Sequence, residues 1–467
     1  MDFAEELNKE KIFAILGEVA DNLGYECYVV GGWVRDLLLG RRSEDIDVVV
    51  VGSGIEMAQA VAKRFDNKCS LAVYKNFGTA QVKKGRLELE FVGARKESYH
   101  RESRKPIVED GTLDDDQKRR DFTVNAMAIC LNGGRFGELI DPFDGLEDLE
   151  KKLIRTPLDP EITFSDDPLR MMRAVRFATK LGFEIVDETF QAIQRNIDRM
   201  EIISGERITE EINKMMRSSN PSRGFRLMSE SGLLGKVLPE IEAMKGIEKR
   251  GEVGHKDIFE HTLKVLDGVV AKSDDIWLRW AAVLHDVGKP RVKQWDKEHG
   301  WTFKNHDFIG MKMVKSLFRR LHLPLGEELA FVQKMVEMHM RPMTLCEEGV
   351  TDSAIRRLLF DAGDDIDKLM ILCESDITSG NRAKVEMFME NYQIVRQKLV
   401  EVEEKDRIRN FQPPVDGIEI MEMFGLEPCK VVGELKNAVK DAILDGIIPN
   451  EHDAAQAFVL RLWEERK

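Results

Sequence analysis

The chain has 467 residues, of which 43% are hydrophobic and 33% charged, with a net charge of −14. No apolar run approaches the roughly 20 residues of a membrane span, and the opening Met1-Asp2-Phe3-Ala4-Glu5-Glu6 lacks the basic and apolar regions of a secretion signal. These features argue against a membrane protein and a uniformly basic nucleic-acid binder, and the length suggests about three domains.

Cysteines 27, 69, 130, 346, 373 and 429 are scattered without a CxxC pair, as expected of reduced thiols in a cytoplasmic protein. Residues 1–25 read as a helix. Tyr28-Val29-Val30 is β-prone, and Gly31-Gly32 ends it with a turn that lets the backbone approach a ligand closely. Leu37-Leu38-Leu39 reads as a short buried helix. A second β-prone run, Ile46 to Val51, carries Asp45 and Asp47 two apart, so both carboxylates face one side. Beside a glycine turn, they form a seat for two Mg²⁺ ions and a nucleoside triphosphate.

Runs 79–83 and 87–92 are also β-prone. Glu90 lies on the second of them, either as a third carboxylate or as part of a solvated strand face. Residues 93–106, GARKESYHRESRKP, are basic; 107–118, IVEDGTLDDDQK, are acidic and read as a mobile loop. Arg119-Arg120-Asp121-Phe122-Thr123-Val124-Asn125-Ala126 offers guanidinium forks for phosphates and an acceptor for ribose hydroxyls. Asp141-Pro142-Phe143-Asp144-Gly145 reads as a turn.

From about residue 151 the pattern is helical. Asp167-Pro168 starts a helix on which Arg170, Arg173 and Arg176 recur every three residues, with Lys180 extending the basic row. That pattern fits an N-cap with ordinary ion pairs, or an acceptor and donors aimed at a base edge. Residues 203–211 and 232–234 fit amphipathic core helices. Lys245–Gly254 reads as a linker, 255–400 as another helical block, and Phe411–Pro414 as a break before a helical tail. His261, His285-Asp286, His306, His339 and Asp376 fall in that second block, and His and Asp suit a divalent transition metal. His100, His255, His299, His322 and His452 read as surface residues.

Gly31-Gly32-x-Val34-Arg35-Asp36 followed by Asp45-x-Asp47 resembles the head of polymerase-β-like nucleotidyltransferases. The variant is similar to the class II tRNA nucleotidyltransferase (CCA-adding enzyme) and bacterial poly(A) polymerase family. Residues 119–126 match that family's RRDFTxNA motif and 141–145 its DPFDG turn. Asp166-Asp167-x-x-Arg170 matches its EDxxR motif, with Asp166 where Glu is typical. The order His261, His285-Asp286, Asp376 resembles the HD superfamily of metal-dependent phosphohydrolases.

The resemblance covers nearly the whole chain and implies an α+β multidomain fold. Its parts are a nucleotidyltransferase head with a small mixed sheet (1–150), an all-helical neck (151–245), an HD domain (246–400) and a helical tail (401–467). It implies addition of CCA from CTP and ATP to a tRNA 3′ end. The alternatives are an A-adding enzyme or poly(A) polymerase, and, from another class, an HD phosphodiesterase whose head only binds RNA. Asp45, Asp47 and Glu90 would be catalytic, the aspartates on Mg²⁺. Gly31, Gly32, Arg35, Arg120, Asp121 and Asn125 would hold the triphosphate and sugar. Asp167 and Arg170, flanked by Arg173 and Arg176, would read the base. His261, His285, Asp286 and Asp376 would bind Mn, Ni, Zn or Fe, with His306 and His339 completing a second position and Lys289 facing phosphate.

Overall fold

The computed structural model describes the chain apart from residues 66–67, 76–77, 101–102, 248, 251–252, 255–256, 349–350, 379–380, 407, 409–410 and 467. At 97–100, 103–108, 249–250, 253–254, 346–348, 384 and 406 it describes the backbone alone. The chain forms two compact units, Met1–Pro239 and Glu240–Lys467. The expected head and neck fall in the first, except that its end precedes the expected boundary at 245.

The first unit is built on a mixed sheet. Its strands are β1 Glu26–Val30, β2 Asp45–Val51, β3 Ser70–Tyr74, β4 Thr79–Lys84 and β5 Leu87–Gly93. A separate hairpin follows, β6 Arg95–His100 and β7 Ser103–Asp110, before β8 Ala128–Cys130 and β9 Leu139–Ile140 rejoin the sheet. The order is β3-β4-β5-β2-β1-β8-β9. The β2–β5 pair is parallel, and β1 lies antiparallel to both β2 and β8. The β-branched runs of β1 and β2 are buried on both faces, which explains why they read as continuous apolar stretches. One face packs Tyr28, Val30, Val49, Ala94, Leu113, Ala128 and Cys130 into a cluster.

Three local expectations are corrected. Residues 1–25 hold two helices, Ala4–Asn8 and Lys11–Leu23, rather than one. The helix after the glycine turn is Gly32–Leu38; it buries Trp33, Val34 and Arg35, whereas Leu37–Leu39 are only half-buried. Residues 107–118 are the end of β7 and a helix, Leu113–Lys118, in place of a mobile loop. Thr112 and Asp115 form a reciprocal capping box there, and three aspartates occupy the first turn, where the helix dipole favours them. The acidic composition read as loop was therefore a helix start. Of the basic segment 93–106, Arg95 and Lys96 are described, and most of its other side chains lie outside the described residues.

The rest of this unit is helical except for a two-residue parallel pair, Leu153–Ile154 with Glu184–Ile185. The Leu169–Leu181 helix packs between Gly205–Met216 and Pro221–Ser231. A Cβ on Gly224 would lie 2.2 Å from Met215 Sδ, so glycine lets these helices touch.

In the second unit five helices, Ile258–Val270, Ile276–Leu284, His306–Arg320, Glu327–Met338 and Ile366–Asp376, carry the buried residues Leu263, Trp280, Val314, Met335 and Leu369. Each such side chain contributes about 1.5–3 kcal/mol by leaving water. The expected linker 245–254 contains a short antiparallel pair, Lys249–Arg250 with Val253–Gly254. Between the five helices lie the helices Lys289–Val292, Arg341–Glu348 and Asp352–Ala362 and an antiparallel pair, Gln294–Asp296 with Gly300–Thr302; a long helix, Arg382–Asp406, and three more follow, with Phe411–Pro414 forming the expected break. No described helix is long and apolar enough to cross a membrane. Cys27, Cys69, Cys130, Cys373 and Cys429 are free thiols.

Candidate active site and metal centre

In the first unit, β1 delivers the chain to Gly31, whose φ of +72° suits glycine. A Cβ there would lie 3.1 Å from Arg120 Nη1 and 3.3 Å from Asp47 Oδ2. The turn, an arginine and a carboxylate thus meet at one point. The parallel register sets Asp45 opposite Glu88 and Asp47 opposite Glu90, putting four carboxylates on one face. Glu88 is engaged by Gln81 Nε2 at 2.5 Å and Lys83 Nζ at 3.0 Å. Burial raises the Asp47 pKa, assisted by Asp45 and opposed by Arg120. Burial and then the Asp47 charge raise Glu90. Like charges that disfavour one another's ionisation on a partly buried face suit a divalent cation. Among the described residues, ligand atoms gathered within 4.8 Å of one another occur in the second unit, and the head carboxylates are more widely spread.

The arginines divide by task. Arg35 is buried, with Nη1 2.7 Å from Asn125 Oδ1 and Nε 2.9 Å from Asp36 Oδ1. Asp121 accepts from Asn125 Nδ2 at 3.1 Å and from Arg173 Nε at 2.7 Å. Burial alone would raise its pKa, but Arg173 and Asn125 outweigh that and hold it at about 2. Arg170 Nη2 donates to the Arg119 carbonyl. Asp167 Oδ1 accepts from Leu169 N at 3.2 Å, so it does start the helix. Arg176 is buried, paired with Glu211 on the neighbouring neck helix and stacked 3.9 Å from the Phe177 ring centroid. Of the row expected to be basic, Arg176 is therefore buried, Arg170 and Arg173 are engaged by other groups of the protein, and Lys180 is exposed. Gly32 lies beside Arg35 Nη2. The 141–145 turn closes through Asp141, which accepts from Gly145 N and Leu146 N at 2.7 and 2.8 Å.

Asp116 is a member of this network that the sequence reading missed. It is fully buried between Arg119 and Arg120, which pull its pKa down against the effect of burial. The available signal was its place four residues before Arg120 on one helical turn.

In the second unit, helix ends bring the histidines and aspartates together. His261 Nε2 lies 2.9 Å from Asp376 Oδ1 and 3.5 Å from Asp286 Oδ2; His285 Nε2 lies 3.3 Å from Asp286 Oδ2. His306 and His339 approach the other oxygen, Asp286 Oδ1, at 3.4 and 3.8 Å. The Nδ1 atoms of His285, His306 and His339 face the carbonyls of Ala282, Phe303 and Val336 at 2.7–2.9 Å. A carbonyl only accepts, so each Nδ1 donates and each Nε2 keeps its lone pair in the neutral ring. The Nε2 atoms of His306 and His339 stand 3.2 Å apart, and burial depresses the His339 pKa to about 4. His285 Nε2 and Asp286 Oδ1 are buried without hydrogen-bond partners. Facing lone pairs and an orphaned carboxylate oxygen fit transition-metal ions, with Asp286 shared between two groups of ligands.

Lys289 Nζ lies 2.6 Å from Asp286 Oδ2 at the mouth. There Ile258, His261, Phe303, Met340, Met343 and Asp376 line a cleft of about 320 Å³. His299, His322 and His452 are exposed; the side chain of His100 and the whole of His255 lie outside the described residues.

Comparison with known proteins agrees with this layout. The poly A polymerase head domain matches residues 27–155, and a probable RNA and SrmB-binding site of polymerase A matches 182–245. An HD domain matches 258–379. An A-adding tRNA nucleotidyltransferase of Deinococcus radiodurans is 30% identical over 94% of this chain and 95% of its own length. A multifunctional CCA protein of Neisseria gonorrhoeae is 32% identical over 64% of this chain and 70% of that protein. The crystal structure of a tRNA nucleotidyltransferase complexed with a primer tRNA and an incoming ATP analog covers 82% of this chain and 98% of its own. It superposes with a TM-score of 0.59 at 25% identity. With this sheet, this helical neck and this HD-type cluster, the chain belongs to the family of tRNA nucleotidyltransferases that combine a poly A polymerase head with an HD domain.

Proposed function

We propose that the protein adds CCA, from CTP and ATP, to the 3′ end of tRNA without a template. The observation that carries this reading is the meeting of Gly31, Arg120 and Asp47 beside Glu90. Asp45, Asp47 and Glu90 would hold Mg²⁺, which when bound lowers the pKa of the RNA 3′-hydroxyl and neutralises the departing pyrophosphate. The glycine turn admits the triphosphate close to the backbone. Arg120 offers it donors, and Arg35 adds fixed positive charge behind Gly32. Asp121, ionised and held by Arg173 and Asn125, accepts from the ribose hydroxyls. Asp167 and Arg170 supply the acceptor and donors that choose the base. The tRNA relatives support the substrate class.

A second reading, addition of A alone, is favoured by the A-adding relative that matches nearly end to end. Incubation with tRNA ending before CCA and each labelled triphosphate separates the two. Incorporation of CTP supports CCA addition, and use of ATP alone on tRNA ending in CC supports A addition.

For the HD cluster we propose metal-dependent phosphoester hydrolysis. His261, His285, Asp286 and Asp376 would hold one ion, and His306 and His339 a second with Asp286. Lys289 is placed to meet a phosphate at the cleft mouth.

A further inference from the structure

We propose that Asp116 is a positioning residue for the incoming nucleotide, holding Arg119 and Arg120 so that the glycine turn and the Leu169–Leu181 helix are set together. The inference rests on the nucleotidyltransferase reading. Each Asp116 oxygen has its own arginine. Arg119 Nε donates to Oδ1 at 2.9 Å, and Arg120 donates to Oδ2 through Nε at 3.1 Å and Nη2 at 2.9 Å.

That leaves Arg120 Nη1, which reaches the Asn125 carbonyl at 3.3 Å and is the atom nearest to where a Cβ on Gly31 would sit. On the other side, the Arg119 carbonyl accepts from Arg170 Nη2. One buried carboxylate therefore sets the arginine at the triphosphate end and the backbone acceptor that holds the arginine at the base end.

The platform beneath it is tied to the sheet. The Leu113–Lys118 helix is pinned by Gln117 Nε2, which donates to the carbonyls of Ala126 at 2.7 Å and Ile140 at 3.2 Å, and by Leu113 in the sheet core. The neighbouring aspartates do something else: Asp114 pairs with Lys118 on the surface, and the Asp115 side chain accepts from the backbone N–H of the N-cap residue Thr112. A guanidinium fixed before the ligand arrives loses less side-chain freedom on binding, so its contact is stronger. An aspartate buried between two arginines also leaves both poorly placed once its charge is removed.

The test uses the full chain, ATP and tRNA ending in CC, so it serves for CCA addition and A addition alike. Asp116→Asn, Asp116→Glu and the surface control Asp114→Asn are compared for kcat, both KM values and thermal unfolding. Asp116→Asn is expected to raise the KM for ATP at least tenfold and leave the KM for tRNA within twofold. Asp116→Glu should recover part of that loss, and Asp114→Asn should match the parent. A folded Asp116→Asn with an unchanged KM for ATP overturns the proposal. So does a fall in kcat alone, or failure of both variants to fold, since each marks a structural role only. A parent protein that incorporates no nucleotide sinks the nucleotidyltransferase reading itself, before any variant is compared.

Discussion

Glu90 stands directly across from Asp47 in the parallel β2–β5 register, on the face that also carries Asp45. A third carboxylate in that position is expected to matter to catalysis. Glu90→Gln should lower nucleotide incorporation by about a hundredfold, on the scale of removing one preorganised charge partner from an active site. Glu88→Gln, whose parent carboxylate pairs with Lys83, should cost less than about threefold, the effect of a surface pair. Steady-state incorporation of ATP measures both, and equal effects would return Glu90 to a solvated strand face.

The two clusters should be separable by mutation. Asp45→Ala is expected to abolish nucleotide addition and spare any phosphoester hydrolysis. His285→Ala should do the reverse. Were Asp45→Ala to retain the principal activity, the hydrolase reading would take precedence.

Gly31→Ala tests the close approach at the turn. A φ of +72° disfavours any side chain by about 1 kcal/mol, and the added methyl would press on Arg120 and Asp47. The expected result is weaker ATP binding with the melting temperature lowered by only a few degrees. Calorimetric titration with ATP reads the first and a thermal scan the second.

Asp121 makes stability depend on pH at the acid end. Its folded pKa of about 2 lies below the ordinary carboxylate value. A depressed folded pKa contributes stability that is fully present above the unfolded pKa, near 4, and is lost as pH falls through about 2. The size is on the order of 2–3 kcal/mol. Parent and Asp121→Asn should therefore differ most in urea midpoint near neutral pH, with the gap narrowing from pH 4 downward. A gap that stays constant over that range would remove Asp121 as the cause.

The HD cluster should take up two ions per chain. His306→Ala or His339→Ala is expected to reduce Mn²⁺ or Ni²⁺ stoichiometry from two to one, because the first group keeps His261, His285, Asp286 and Asp376. Saturating metal should stabilise the protein by about 2.7 kcal/mol at a hundred times Kd. Elemental analysis and thermal scans with and without chelator decide this.

Much of this protein was legible in its sequence. The Gly31-Gly32 turn, the Asp45/Asp47 spacing and the start of the helix at Asp167-Pro168 each depend on residues close together in the chain, where backbone stereochemistry and periodicity act directly. Only the tertiary structure decided which long-range partners those residues meet. The parallel register brought Glu90 to Asp47, which alternation along β5 alone left undecided. Packing of the neck drew Arg176 to Glu211 and Arg173 to Asp121, because a buried guanidinium needs a carboxylate wherever the fold supplies one. Residues 107–118 looked like loop because acidic composition marks loops and helix starts equally. The capping box, and the two arginines closing on a buried Asp116, resolved that segment as the end of a strand and a capped helix.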